Sequence, residues 1–161
     1  MNIWIASLAA VLVQPLVFIA RLAPELLASS QPVYGLGFAL IAVAVVASAI
    51  VLVLGIPSYL VLRKFGLERW PLLALVGTVL GALPAAFGWP SQQEGYSAGQ
   101  NWHGRYVDTY VNGSPTEYAW LTYGEGVFFF AIHGLIGALV FHAVLHMREH
   151  RAKAASRNQP T

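Results

Sequence analysis

Four long stretches of this chain contain no charged residue. They are dominated by aliphatic side chains and cover residues 3–20, 33–62, 70–88 and 127–147. A helix of about 20 apolar residues spans the roughly 30 Å hydrocarbon core of a bilayer. The pattern therefore predicts an all-α membrane protein built as a bundle of four transmembrane helices.

Composition supports this prediction. The chain has 161 residues, of which 57% are hydrophobic and 10% are charged, whereas an average soluble domain has about 25% charged residues. Fewer than half of the residues lie outside the four stretches, too few for a soluble catalytic domain of usual size. These values exclude an ordinary soluble domain, a disordered chain and a nucleic-acid-binding module. The absence of cysteine excludes disulfides and thiolate metal sites.

The basic residues predict the orientation of the bundle. The short loop 63–69 and the tail 148–161 carry seven of the nine Lys and Arg residues, and the remaining two are Arg21 and Arg105. Cytoplasmic loops of membrane proteins are enriched in basic residues. We therefore expect a bacterial inner-membrane protein with both termini in the cytoplasm and segment 89–126 in the periplasm. The first stretch has no basic residue before it and is too long for a signal peptide, so we expect it to be retained.

Two prolines predict irregular helices. Pro15 lies in the middle of the first stretch, where a proline removes a backbone hydrogen bond and bends the helix. Because the freed carbonyl needs a partner inside a membrane, we expect the neighbouring Gln14 to face the bundle. The second stretch, 33–62, would be about 45 Å long as one straight helix. We therefore expect a break or bend at Gly55-Ile56-Pro57.

Small residues recur at the spacing of helix contacts. Gly77 and Gly81 form a GxxxG motif in the third helix, and Gly134 with Ala138 repeats the spacing in the fourth. Membrane helices associate by close van der Waals approach, which small residues allow. We interpret these residues as contacts within one bundle, and a dimerisation face in a homo-oligomer is the alternative.

The segment 89–126 is rich in tyrosine and tryptophan. Arg105–Val111 and Thr116–Tyr123 are runs of β-forming residues, and the turn-forming sequence Asn112–Pro115 separates them. Two such runs around a short loop predict a β-hairpin, here a small periplasmic cap. Exposed aromatic residues are also typical of protein interfaces. The candidate partner-binding residues are Trp102, Tyr106, Tyr110, Tyr118 and Trp120. The alternatives are a cap that packs on itself and, for Trp120, an interfacial aromatic belt.

The histidines suggest chemistry without establishing it. His142, His146 and His150 share one helix face, but this cluster lies at the cytoplasmic end, where polar side chains suit a helix C-terminus. His133 lies inside the fourth span, and ionisable groups at such depth are functional candidates. The other three helices contain no histidine, which excludes an intramolecular bis-histidine haem site. A hydrogen bond from His133 to Gln14, Thr78 or a backbone carbonyl is the simpler interpretation.

No catalytic constellation is present in the sequence. Glu125 is expected at the N-terminus of the fourth helix, where negative charge is stabilised, and Arg21 is expected to pair with Glu25 four residues later. No paired intramembrane carboxylates and no nucleotide-binding or nucleophile-elbow motif occur. We therefore expect a protein without enzymatic activity, metal or cofactor.

Several motifs between residues 55 and 140 support a resemblance. They include Gly55-Ile56-Pro57-Ser58-Tyr59-Leu60, Arg63-Lys64-Phe65-Gly66-Leu67 and Gly77-Thr78-Val79-Leu80-Gly81-Ala82-Leu83-Pro84, followed by Gly113-Ser114-Pro115-Thr116, Trp120-Leu121 and Gly134-Leu135-Ile136-Gly137. Together they resemble a pattern of small uncharacterised bacterial inner-membrane proteins. The resemblance implies four spans and no particular activity, and some immunity proteins against membrane-acting toxins share this size and shape.

These observations lead to two main functional hypotheses, and redox or haem binding through His133, with a second ligand from an oligomer or another group, is a third. In the first, the protein acts through protein–protein contacts, as an immunity protein against a membrane-acting toxin or as an accessory subunit of a membrane complex. In the second, it forms an oligomeric channel or a small-solute transporter. Broken helices are typical of transporters, but the spans here contain few polar groups.

Overall fold

The computed structural model describes the backbone of residues 3–28 and 35–157, and the side chains of residues 3–23 and 35–147. Within these residues, the helices are accompanied by one small antiparallel sheet with strand order β1-β2-β3, which packs on the last helix. The elements are α1 (Ile3–Ala28), α2 (Leu36–Ile50), α3 (Ile56–Lys64), α4 (Trp70–Ala86), β1 (Ala98–Trp102), β2 (Arg105–Val111), β3 (Ser114–Pro115) and α5 (Glu117–Arg157). A π-helical turn, Val51–Gly55, joins α2 to α3.

Three of the helical segments are long and apolar enough to cross a bilayer. They are Ile3–Ala23, Leu36–Lys64 and Glu117–Met147, and they contain the described parts of three predicted stretches. The fourth stretch forms α4, which is equally apolar but has only 17 residues. At 1.5 Å per residue α4 is about 26 Å long, slightly less than the hydrocarbon thickness. The helices are therefore confirmed, and the fourth crossing stays a prediction.

Where a break or bend is expected, at Gly55-Ile56-Pro57, the helix does not break but changes its hydrogen-bond register. The helix continues through this region, and the Ile56 N–H bonds to the Val51 carbonyl five residues back. Pro57 lies in the first turn of α3, where its missing N–H costs least. One wide turn thus accommodates the proline, and the chain forms a single helical segment from Leu36 to Lys64.

The closest helix contact joins α4 to α5. A Cβ atom added to Gly77 would lie 2.5 Å from the Ala138 Cβ and 2.6 Å from the Gly134 carbonyl oxygen. One added to Gly81 would lie 2.8 Å from the Gly134 Cα. All four small residues of the predicted motifs therefore meet in one contact within the bundle, as expected.

A cluster of buried side chains packs between the helices at the end of the bundle opposite the sheet. Tyr59 packs edge-to-face on Phe141 with ring centroids 5.0 Å apart, and the Tyr59 hydroxyl lies 3.3 Å from a carboxylate oxygen of Glu68. Every long helical segment contributes to this cluster, which consists of Ala6, Ala10, Tyr59, Leu73, Phe141 and Leu145.

The sheet differs from the predicted hairpin. The main hairpin pairs β1 with β2 through the two-residue turn His103-Gly104, where both residues have positive φ. The predicted turn is present at Asn112-Gly113, also with positive φ at both positions, but the strand that follows it has only two residues. Positive φ at both central residues is the geometry of a type I′ turn, which suits the twist of a hairpin.

The predicted strand Thr116–Tyr123 is wrong, because these residues begin α5. The helix starts at Glu117, whose negative charge in the first turn stabilises a helix N-terminus. The Thr116 hydroxyl donates to the Asp108 carbonyl at 2.6 Å, and the Thr116 N–H donates to the Thr109 carbonyl at 2.9 Å. These bonds end the sheet at Pro115 and set the direction of the helix.

Candidate functional site

The segment 89–126, named the cap below, is held together by backbone hydrogen bonds. The Gln93 N–H donates to the Gly113 carbonyl at 2.9 Å, and the Gly113 N–H donates to the Tyr96 carbonyl at 2.7 Å. Gly113 is buried, and any Cβ at this position would collide with the Gln93 carbonyl. Val107 and Thr109 point from β2 to the buried side of the sheet. The cap is thus a folded unit that combines the sheet with the start of α5, on which β2 and β3 pack.

Glu125, in the part of α5 that belongs to the cap, joins the main hairpin to α1. One carboxylate oxygen accepts a hydrogen bond from the Arg21 guanidinium on α1 at 2.9 Å. The other accepts from the Trp102 indole N–H at 2.8 Å and lies 3.4 Å from the His103 imidazole. The Arg21 guanidinium also lies 4.8 Å from the centre of the Phe129 ring. One side chain on α5 therefore fixes the end of α1 and the turn of the main hairpin.

This arrangement corrects the predicted position of Glu125, and the expected Arg21–Glu25 pair stays a prediction. Glu125 does not lie at a helix N-terminus, because α5 begins eight residues earlier at Glu117. Arg21 pairs with Glu125, across 104 residues of sequence, and the side chain of Glu25 lies outside the described residues. The Glu125 cluster was missed because the pairing spans two helices and a hairpin.

The five candidate partner-binding residues have different surroundings. Trp102 packs edge-to-face on Tyr118 at 5.5 Å, and Tyr110 packs on Tyr96 at 5.2 Å. These three candidates therefore contribute to the packing of the cap itself. Tyr106 and Trp120 remain 70% and 51% exposed, and Trp120 contacts Tyr123, whose hydroxyl bonds to the end of α4.

The outer face of the sheet carries Tyr106, Asp108 and Tyr110 at alternate positions of β2. Gly99 on β1 lies directly beneath the Tyr106 ring, since a Cβ at this position would lie 2.5 Å from the Tyr106 hydroxyl oxygen. With Ser97, Ala98 and Val111 these residues line a shallow depression. We name it the outer face.

A second candidate site lies among the helices. Gln14 is buried on α1, as expected, and its amide nitrogen donates to the Ala10 carbonyl at 3.0 Å and to the His133 carbonyl at 3.3 Å. Its amide oxygen lies 2.6 Å from the His133 Nδ1. Gly137 makes room for this pair, because an added Cβ would lie 2.8 Å from the Gln14 nitrogen. The expected hydrogen bond between His133 and Gln14 is present.

An apolar cavity of about 350 Å³ adjoins this polar pair. Ala47 and other residues of α2 line one side, and residues of α4 and α5 line the other. Among the described residues, α2 packs mainly on α1, which leaves this space between α2 and the α4–α5 pair. The lining includes four phenylalanine rings, namely Phe18, Phe129, Phe130 and Phe141.

The remaining histidines form no metal centre in the described part of the chain. The rings of His142 and His146 are neighbours, with centroids 4.0 Å apart, as their spacing predicts. The side chain of His150 lies outside the described residues. Within residues 3–23 and 35–147, no group of three potential metal-binding side chains comes together.

Comparison of the chain with protein-family models, curated proteins and solved structures gave no match. The candidate sites therefore rest on their own geometry. Sequence reasoning identified Gln14, His133 and the aromatic cap. It missed the cavity, which depends on how far α2 lies from α4.

Proposed function

We propose that this is a non-enzymatic integral protein of the bacterial inner membrane that acts by binding another protein through its cap. An immunity protein against a membrane-acting toxin and an accessory subunit of a membrane complex both fit this description. The proposed topology has four spans, both termini in the cytoplasm and the cap in the periplasm, in accordance with the distribution of basic residues.

The observation that carries the proposal is the combination of an anchored cap and an exposed tyrosine. Glu125 and the edge-to-face Trp102–Tyr118 pair hold the cap on the helices, yet Tyr106 is 70% exposed above the shallow outer face. A rigid aromatic side chain on a preorganised surface loses little entropy on binding. Tyrosine is also among the residues that dominate binding energy in protein interfaces.

The apolar interior favours a binding role over a pore. Among the described residues, the lining of the cavity includes no Asp, Glu, Lys or Arg. Channels and transporters commonly place ionisable or polar groups along the path of the solute. The conspicuous polar group near this cavity is the Gln14–His133 pair, whose members are bonded to each other.

Site-specific photo-cross-linking tests the proposal. A photoreactive amino acid replaces Tyr106 on the outer face, and in a matched control it replaces Phe65, which is 69% exposed in the loop at the other end of the bundle. In native membranes we expect one discrete heterologous product from position 106 and none from position 65. Tyr106→Ala should weaken the binding of that partner about thirtyfold, because an interface hot spot contributes about 2 kcal/mol or more.

Three results would contradict the proposal: recovery of the lone chain, the same products from both positions, or a product that contains only a second copy of this chain. The identity of a genuine partner then separates the two roles. An immunity protein should protect cells against the toxin that it binds, whereas a subunit should co-purify with a stable membrane complex.

A further inference from the structure

The hydrogen bonds around Gln14 fix the proton position on His133. Both contacts of the Gln14 nitrogen are carbonyl oxygens, of Ala10 and of His133, so the nitrogen must be the donor. The Gln14 oxygen is therefore the atom 2.6 Å from the His133 Nδ1, and it accepts the proton of that nitrogen. In a neutral imidazole the other nitrogen, Nε2, is then an acceptor.

This acceptor has no partner. The His133 Nε2 is buried and makes no hydrogen bond within the described part of the chain. Buried polar atoms are nearly always hydrogen-bonded, and an exception calls for a specific explanation such as a ligand or water. His133 is among the residues that line the 350 Å³ cavity, and its Nε2 itself lies just behind the accessible surface.

We propose that the cavity binds an apolar aromatic molecule with a hydroxyl group that donates a hydrogen bond to the His133 Nε2. The chemical class is that of alkylphenols and quinols. Since Nε2 is covered in the structure, the ligand reaches it by displacing a neighbouring side chain. This inference does not rest on the proposed function, because the cavity and the outer face lie in different parts of the molecule.

Size, shape and charge agree with such a ligand. Sites for small molecules typically measure about 300–1,000 Å³ and combine apolar walls with a few polar groups. Phe129 lies edge-to-face with the imidazole at 4.5 Å, and Phe130 lies at 6.5 Å. Aromatic rings favour edge-to-face and offset contacts with one another. The uncharged lining disfavours an ionic ligand.

A π-helical turn in the wall of the same cavity also supports a binding role. The π-helical turn contributes Val51 and Gly55 to its wall. Single π-helical turns inside α-helices are frequent at functional sites, because they interrupt the regular backbone hydrogen bonds. The irregular turn and the unpartnered nitrogen thus belong to one cavity although they lie on different helices.

Nitrogen-15 NMR of the full chain in nanodiscs, with all histidines labelled, tests the proposal. The probes are 4-hexylphenol and its methyl ether 4-hexylanisole, which differ in the hydroxyl donor. His133→Phe identifies the signals of His133. We expect the phenol to shift the Nε2 signal and to bind about tenfold tighter than the ether, although the ether partitions more readily into lipid.

Two variants of α2 locate the binding site. Ala47 lines the cavity, whereas Ala49 is exposed and does not. Ala47→Phe should abolish the response of His133 to the phenol, and the matched control Ala49→Phe should leave it unchanged.

An equal response to both probes, no response to the phenol, or an unchanged response in Ala47→Phe would overturn the proposal. So would an Nε2 signal that already shows a bound hydrogen-bond donor, such as water, in the absence of a probe. The comparison of the two probes on the unsubstituted chain requires no variant to fold.

Discussion

At the scale of single residues, Glu125 has the most connected side chain of the cap. Its carboxylate contacts Arg21, Trp102 and His103, which come from α1 and from the main hairpin. The cluster is partly accessible to water, since the side chains of Arg21 and Glu125 are 47% and 27% exposed. Solvent screening reduces the contribution of such ion pairs, so the hydrogen bond from the Trp102 indole matters at least as much as the charge.

Replacement of Glu125 should loosen the cap without unfolding the helices. Glu125→Leu removes both acceptors and is expected to cost on the order of 1 kcal/mol, which corresponds to about fivefold faster amide hydrogen exchange in β1 and β2. Glu125→Gln retains one acceptor oxygen and should show a smaller effect. The control is Glu94→Gln, an exposed carboxylate of the same cap. Equal exchange rates in Glu125→Leu and the unsubstituted chain would show that the cap is held by packing alone.

At the scale of elements, the contact between α4 and α5 depends on missing side chains. Gly77 and Gly81 bring the two backbones so close that neither position has room for a Cβ atom. In a bilayer, apolar side chains gain little by leaving lipid, so close packing replaces the hydrophobic effect as the main source of helix association. The loss of this fit should therefore be measurable in a single substitution.

Gly81→Ala places a methyl group against the Gly134 Cα at 2.8 Å. Overpacking of this kind typically costs about 1–3 kcal/mol, so we expect a lower midpoint of thermal unfolding in detergent, measured by circular dichroism. Gly124→Ala is the matched control, because a Cβ at this helical position meets nothing within 4 Å. Alanine also has a higher helix propensity than glycine, so the control substitution should not lower the midpoint. An unchanged midpoint in Gly81→Ala would show that the two helices separate easily.

The sequence predicts elements better than their ends and contacts. The helices follow from runs of apolar residues, and the four small residues of the α4–α5 contact follow from their spacing. The start of α5 was not predictable from local pattern, because Tyr118, Trp120 and Thr122 are good β-formers and helical continuity overrides this preference. The His103-Gly104 turn was missed because positive φ is uncommon at residues other than glycine, even though histidine adopts it more often than most.

In the candidate sites, too, the sequence predicts individual residues better than the contacts between them. Gln14 and His133 stand out because polar side chains are rare in the apolar stretches. The sequence left Gln14, Thr78 and a backbone carbonyl as possible partners of His133. The rotation of α1 relative to α5, which brings Gln14 to His133, is not encoded in either helix alone. The cavity and the Glu125 cluster have no sequence signal, because each combines residues from separate helices.

At the scale of the whole molecule, the cap and the loop between α3 and α4 lie at opposite ends of the helix bundle. Arg21 near the end of α1 meets Glu125 and the cap, whereas the loop between α3 and α4 lies at the opposite end, with the start of α1. This arrangement agrees with the seven basic residues of loop 63–69 and tail 148–161 on one side. The segment that decides whether the chain has four spans is α4, which is only 17 residues long.

Single cysteines on either side of α4 test whether it crosses the membrane. The chain has no cysteine of its own, so a membrane-impermeant maleimide reports only the introduced residue. Phe65 precedes α4 and Ser91 follows it, and both are exposed. We expect Ser91→Cys to react in intact cells, and Phe65→Cys to react only after permeabilisation, because a helix about 26 Å long can cross a locally thinned bilayer. The aromatic residues Trp70, Phe87 and Trp89, which are 59%, 75% and 59% exposed at the two ends of α4, are suited to the interfaces. Reaction of both cysteines in intact cells would mean that α4 does not cross and that the bundle has three spans, whereas reaction of Phe65→Cys alone would invert the orientation.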